Sequence, residues 1–398
     1  MPASAPIASR RVVITALGVI SPLGNGVAET ERALREGRDG VAPVTTFDVS
    51  KTRCKTAGQV VNLPAASDAR LHPASRMMIV VAEQVKAGDA GFVPELLVIG
   101  TTSGGMSFGE QFYRAQVAKQ RPRECAAWLA NYLPHKPVLD VQKAAGWTAP
   151  AQIIANACAS GSNAVGHGFQ LIRAGLHSRV LCGGYDAISE MVFVGFDALQ
   201  ASTAEKIRPF DKNRTGLVLG EGAALLALED LESAQRRGAP ILAEVTGYGI
   251  STDNHHLTQP HPSGIGPRQA MERALADARR TPGEIDYINA HGTATLFNDA
   301  TEGTAITQLF GDRVPVSSTK SMMGHSLGAA GAIEAIFSVL ALRGQFLPPN
   351  INFGEIDPAW SLNIVANKAQ EARVSRVVSN SFGFGGTNAS IVLEEVAQ

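Results

Sequence analysis

Short apolar runs set between helix-patterned segments constrain this chain more than any other feature. Arg11–Leu17, Leu96–Gly100, Gln152–Ala157, Val180–Gly183 and Ala223–Leu228 read as strands. So do Ile241–Gly247, Ile285–Ala290, Val314–Ser317, Val374–Asn380 and Ser390–Glu394. Near-continuous apolar runs of this length suit strands covered on both faces. Helical patterns follow at Asn25–Glu36, Ser75–Ala90, Ser162–Ala174, Pro267–Ala278, Ala300–Leu309 and Gly328–Arg343. The alternation predicts an α/β fold.

The two halves echo each other. QIIANA runs into Cys158 and a small-residue helix start, and VPVSSTKSMMGHSLGAAGAIEAI repeats strand, polar turn and helix. EGAALLALEDLE closes the first half much as GGTNASIVLEEV closes the second. A duplicated α/β unit is the economical reading, with halves 1–238 and 239–398, a boundary near Arg237–Ile241, and one composite site between the copies. A chain of 398 residues, 45% hydrophobic, can build an ample core for such a double domain. Its formal net charge of −1 argues against a general nucleic-acid binder, while leaving room for a local basic patch.

Cys54, Cys125, Cys158 and Cys182 fit no CxxC pattern and suggest no disulfide framework. The opening MPASAPIASRRVVITALG lacks the apolar stretch of a signal peptide. Leu327–Leu342 is interrupted by Glu334 and is shorter than the ~20 residues that span a bilayer. A cytoplasmic protein is therefore expected.

Cys158 stands in Ala157-Cys158-Ala159-Ser160-Gly161, after a strand and before a helix. That position aims unpaired backbone N–H groups and the helix dipole at the sulfur, and small neighbours leave room for a thioester. His291, in Asn289-Ala290-His291-Gly292-Thr293-Ala294-Thr295, and His325, in Thr319-Lys320-Ser321-Met322-Met323-Gly324-His325, each follow a strand end. Sites of α/β proteins gather at such ends. Gly383-Phe384-Gly385-Gly386-Thr387-Asn388 lacks the lysine of a phosphate-binding loop, and glycines around an aromatic suit a mobile gate. Asp253, His255, His256 and His261 are metal-ligand types at a spacing that fits no standard site, so no metal is expected.

With these motifs, from RRVVITALGVISPLG to SFGFGGTNASIVLEE, the chain resembles the elongating β-ketoacyl-acyl-carrier-protein synthases. The resemblance implies a thiolase fold of five αβαβα layers, and a homodimer or a heterodimer with a homologous subunit. It implies decarboxylative Claisen condensation of an acyl chain on Cys158 with malonyl-carrier protein. His291 and His325 would stabilise the enolate, with Lys320 and Glu334 in a supporting polar network. The N–H groups of Cys158 and Phe384 would form the oxyanion hole, Phe384 the gate. Thr293 and Thr295 match pantetheine-binding positions, as does Thr258. No cofactor is implied beyond the phosphopantetheine that carries the substrates.

Relatives on the same fold are distinguishable. Thiolases need a second cysteine where this chain has SFGFGGTN, and initiating synthases carry Asn at the position of His325. Chain-length factors lack the cysteine that is kept here. The pathway is read from departures: Ser103 stands where fatty-acid enzymes carry a bulky aliphatic, and Leu296 and Asn298 depart from the usual turn, although Asp299 is kept. These favour a polyene or polyketide ketosynthase over housekeeping elongation. Ser103 would widen the acyl pocket, and Trp128 would line the partner's pocket across the dimer. Arg76, Arg121 and Arg123 are candidates for a basic rim that steers the acidic carrier protein.

Overall fold

The structure, a computed structural model, describes residues 10–61, 63–64, 70–120 and 123–396. Its main strands are β1 (Val12–Ser21), β2 (Leu96–Gly100), β3 (Ala151–Ile154), β4 (Arg179–Asp186) and β5 (Gly222–Asp230). They continue as β6 (Ala243–Thr252), β7 (Tyr287–Asn289), β8 (Pro315–Ser317), β9 (Arg376–Gly383) and β10 (Thr387–Glu394).

The order across the hydrogen-bonded series is β3-β2-β4-β5-β1, then β6-β10-β9-β7-β8. Read outward from the centre, the second half repeats the first. In each half the first strand pairs antiparallel with the last, and the three outer strands run parallel. The halves meet through a short antiparallel contact of Val12–Ile14 with Ala243–Val245. The two echoing segments EGAALLALEDLE and GGTNASIVLEEV are β5 and β10, which hold equivalent places in this order.

Layering follows from which faces are apolar. On β5, Ala223, Leu225 and Ala227 enter one core with Met77, Met78 and Val81 of the helix Pro73–Gly88. The alternate residues Leu226 and Leu228 enter another with Phe169 and Ile336. A strand with apolar residues on both faces must be sandwiched. The helices Ser160–Arg173 and Ala330–Gly344 form the middle layer, and Ile265–Ala278 and Leu296–Phe310 cover the far sheet. The five αβαβα layers of a thiolase fold result. The middle helices cross closely because glycines stand at the crossing. A Cβ at Gly161 would meet Gly328 O at 2.7 Å, and one at Gly331 would meet Ser162 Oγ at 2.2 Å. The stretch Leu327–Gly344 is long and apolar enough by composition to cross a membrane, contrary to the sequence reading. Here 89% of it is buried, between the two sheets.

Among the described residues six helices escaped the sequence reading, and the four longest are Met106–Val117, Cys125–Asn131, Lys136–Ala145 and Glu190–Ala198. All four, with the turn after Cys125–Asn131, leave large apolar side chains exposed, among them Tyr113, Leu129, Leu133, Leu139, Met191 and Val194. Only Lys136–Ala145 buries several residues, and the other three bury one each, so little core-facing periodicity marks them.

Candidate active site

Cys158 sits in a 3₁₀ turn, Ala157–Ala159, that leads directly into the helix Ser160–Arg173. Ala157 takes a left-handed φ of 56°, rare for a residue with a Cβ. The turn is held by Ser160, whose Oγ accepts from Asn156 N–H at 3.0 Å and donates to Ala157 O at 2.6 Å. The thiol is therefore presented at a helix N-terminus. Burial pushes it up to about 11, and Asp186 adds to the rise. The Lys320 ammonium and the backbone N–H groups of Phe384 and Cys158 favour the thiolate. Those two N–H groups are the pair expected to form an oxyanion hole.

His291 and His325 lie beside it. Their rings are nearly perpendicular, with centroids 5.2 Å apart. The ligand atoms of Cys158, His291 and His325 all lie within 4.8 Å of one another. Burial, and next the Lys320 ammonium, hold both imidazoles well below their usual range, so both are neutral. His291 Nδ1 and both nitrogens of His325 are buried without a protein partner. Such groups are costly unless a ligand engages them.

The backbones of both histidines are pinned. His325 N–H donates to Val218 O at 2.7 Å, and His325 O accepts from Gly220 N–H at 2.8 Å. His291 N–H and Gly292 N–H donate to the two carboxylate oxygens of Glu302 at 2.8 and 2.7 Å. Glu302 is wholly buried, and burial pushes it up to about 7 against these bonds. The sequence reading missed Glu302. No local pattern marks it: Glu302 lies on the helix Leu296–Phe310, and only the fold turns its carboxylate back to the His291 turn.

Lys320 and Glu334 form a fully buried ion pair, Nζ to Oε1 2.6 Å, with both side chains 0% exposed. Burial pushes Glu334 up to about 7, and Lys320 opposes the rise. Thr258, Thr293 and Thr295 line a cleft of about 180 Å³ together with Cys158, His291, His325 and Phe384. Thr293 Oγ1 and Thr295 Oγ1 share a hydrogen bond of 2.9 Å. The Phe384 ring stacks on Phe196 at 5.5 Å, and Gly385 and Gly386 take positive φ beyond it.

Other expected residues lie elsewhere. Ser103 does not line this cleft: its hydroxyl turns away and donates to Asp186 Oδ1 at 2.8 Å. Trp128 also lies off the cleft, partly buried on the helix Cys125–Asn131. Arg76 is half-buried and donates to the carbonyls of Leu63 and Pro64, so it is an internal tie more than a free rim charge. Arg123 is exposed, and Arg121 lies outside the described residues. In the polar loop, Asp253 bonds Asn388 at 3.0 Å, while His256 and His261 accept from Thr258 N–H and Ser263 N–H. Among the described residues, the group of potential metal ligands that converges is Cys158, His291 and His325.

Comparison with known proteins agrees with this architecture. Residues 9–234 match the family model of the β-ketoacyl synthase N-terminal domain, and 242–354 that of the C-terminal domain. The chain is 37% identical to 3-oxoacyl-acyl-carrier-protein synthase 2 of Synechocystis sp., over 98% of this chain and 99% of that protein. Its structure matches "The ishigamide ketosynthase/chain length factor" at TM-score 0.93 and 36% identity, covering 98% of this chain and 100% of the other. It also matches a type II polyketide ketosynthase solved with its acyl-carrier protein, at TM-score 0.89 and 28% identity over 98% of this chain and 100% of that one. The fold, the duplicated topology and these matches lead to one conclusion: the chain belongs to the β-ketoacyl synthase family.

Proposed function

We propose that this chain is a β-ketoacyl-acyl-carrier-protein synthase that elongates an acyl chain by decarboxylative Claisen condensation. The observation that carries the reading is the convergence of Cys158, His291 and His325 within 4.8 Å at a cleft lined by Thr258, Thr293 and Thr295. Cys158 sulfur, as thiolate, attacks the acyl thioester and expels the carrier arm as a thiolate, which takes up the proton that the Cys158 thiol gave up. The N–H groups of Cys158 and Phe384 stabilise the oxyanion of that step. The malonyl thioester then loses CO₂, and the two electrons of the broken bond form an enolate. Each neutral imidazole offers one N–H to the enolate oxygen. The enolate carbon attacks the Cys158 thioester, the β-ketoacyl chain leaves on its carrier, and the thiolate is restored. Lys320 and Glu334 hold the field around the three groups.

The carrier arm enters between Thr293, Thr295 and Thr258, with Phe384 as the gate. Polyene or polyketide elongation is the preferred pathway, supported by the ishigamide and type II polyketide neighbours. Housekeeping fatty-acid elongation is the second reading, favoured by the name of the Synechocystis relative. A non-catalytic partner subunit is the least favoured, because Cys158 is present. The partners are an acyl carrier protein and a second ketosynthase-like chain, its own copy or a homologue. The free edge of β3 and the exposed Tyr113, Leu129 and Met191 suit such a partner. No cofactor is proposed, and the setting is cytoplasmic. Mass spectrometry of the acyl chain on Cys158 after expression with native carrier proteins tests both function and pathway. A Cys158 that never carries acyl would end the reading.

A further inference from the structure

Asp186 ends β4, wholly buried, and no part of the mechanism above uses it. It gathers donors from two turns. Oδ1 accepts from Thr101 Oγ1 at 2.9 Å, Ser103 N–H at 2.7 Å and Ser103 Oγ at 2.8 Å. Oδ2 accepts from Gly328 N–H at 2.7 Å, and Thr102 N–H reaches both oxygens at 3.0 and 3.2 Å. Burial pushes the carboxyl up, and the donors from Ser103, Thr102 and Thr101 oppose that rise; every neighbour donates, and only the ionised carboxylate is acceptor throughout.

The two turns adjoin those that carry the reacting groups. Thr102 Oγ1 donates to Ala157 O at 3.2 Å, the strained residue immediately before Cys158. Gly328 lies in the 3₁₀ turn Leu327–Ala329, just past His325. There is no room for adjustment at that point: a Cβ on Gly328 would meet Asp186 Oδ2 at 2.8 Å and Thr101 carbon at 2.7 Å. Ser103 has a place in the same arrangement. An aliphatic side chain there would keep the N–H contact and lose the hydroxyl one.

We propose that Asp186 is a positioning residue of the condensing site, which ties the turn behind Cys158 to the turn after His325 and so sets the separation of thiol and imidazole, with Ser103 as its dedicated partner. This rests on the condensing reading. A wild-type chain that takes no acyl group on Cys158 would sink that reading. The variants below bear on Asp186 alone.

Asp186→Asn keeps the shape but turns one acceptor into an NH₂ group that faces N–H donors. Condensation kcat should fall on the order of 10²-fold, as for a small misplacement of reacting groups, with KM for malonyl-carrier protein unchanged. The second readout is Cys158 alkylation by iodoacetamide against pH, followed by mass spectrometry. Lys320, His291 and His325 face the thiol and are untouched. Loss of the Asp186 charge should move the midpoint downward, because that charge raises the thiol. General loosening would not. A folded variant with either readout at its wild-type value overturns the proposal. Should Asp186→Asn fail to fold, Thr102→Val decides. Thr102 is exposed, and the change cuts only the link to Ala157. A several-fold fall in the rate of acylation supports the proposal, and a wild-type rate overturns it.

Discussion

Lys320→Met should destabilise the protein in a way that depends strongly on pH. The Lys320–Glu334 pair is 2.6 Å long, with both side chains 0% exposed. Removing one member of such a pair typically costs about 3–5 kcal/mol, because the other charge is left buried and uncompensated. Glu334 has an escape, which is to take up a proton. With Lys320 present, burial already pushes it up to about 7, and Lys320 is what opposes a further rise. In Lys320→Met the folded-state pKa of Glu334 therefore lies above that value, while the unfolded one stays at the ordinary carboxylate value. The sign follows. A carboxyl raised on folding stabilises the fold below its unfolded pKa, and that stability is lost as pH rises through the folded pKa. Each pH unit inside that window is worth about 1.4 kcal/mol. Wild type shares the loss up to about pH 7, so the variant should be at most about 2 kcal/mol worse, relative to wild type, at pH 8.5 than at pH 6. Urea unfolding at the two pH values measures this. Lys320→Met/Glu334→Leu should recover most of the loss and flatten the dependence, since no buried charge remains. An equal loss at both pH values, or no recovery in the double variant, would refute the buried-pair argument. Activity should stay low in both, because Lys320 sets the field at Cys158, His291 and His325.

Cys158→Ala should abolish acylation and condensation, whereas Cys158→Gln should keep decarboxylation, measured as ¹⁴CO₂ release from malonyl-carrier protein. Normal condensation by the alanine variant is incompatible with the mechanism. His291→Ala and His325→Ala should each lose on the order of 10²–10³ in decarboxylation rate, since each removes one donor to the enolate oxygen. A wild-type rate in either would remove that histidine from the site. Ser103→Ile should act on stability, whereas a pocket role alone would shorten the accepted chain and leave stability intact. The site is 6% exposed and its hydroxyl serves Asp186, so overpacking should cost about 1–3 kcal/mol. An unchanged melting temperature with a shifted chain preference would restore the pocket role. Glu302→Gln should leave one of the His291 and Gly292 N–H groups facing an NH₂, at a cost of about 1–3 kcal/mol. The check is thermal melting alongside decarboxylation, and no change in either would mean the clamp is idle.

Much of this protein is legible in its sequence because its strands are buried on both faces. Leu96–Gly100 was read with the bounds it has in the fold, since five successive buried residues leave no other assignment. The nucleophile turn and the two histidine turns were legible for a related reason. A reactive group at a strand end needs small neighbours and a following helix, and those are local requirements written in consecutive residues. What joins distant segments was not legible. Asp186 collects donors from residues 101–103 and 328, and Glu302 reaches back to the backbone of His291; neither has a local pattern. Ser103 shows the limit most plainly. From the sequence its small size suggests room in a pocket; its hydroxyl bond to Asp186 has no signal there, and only the approach of β4 gives that hydroxyl a partner. Size and polarity belong to the residue. Which of the two the fold uses is decided by what packing brings within hydrogen-bond reach.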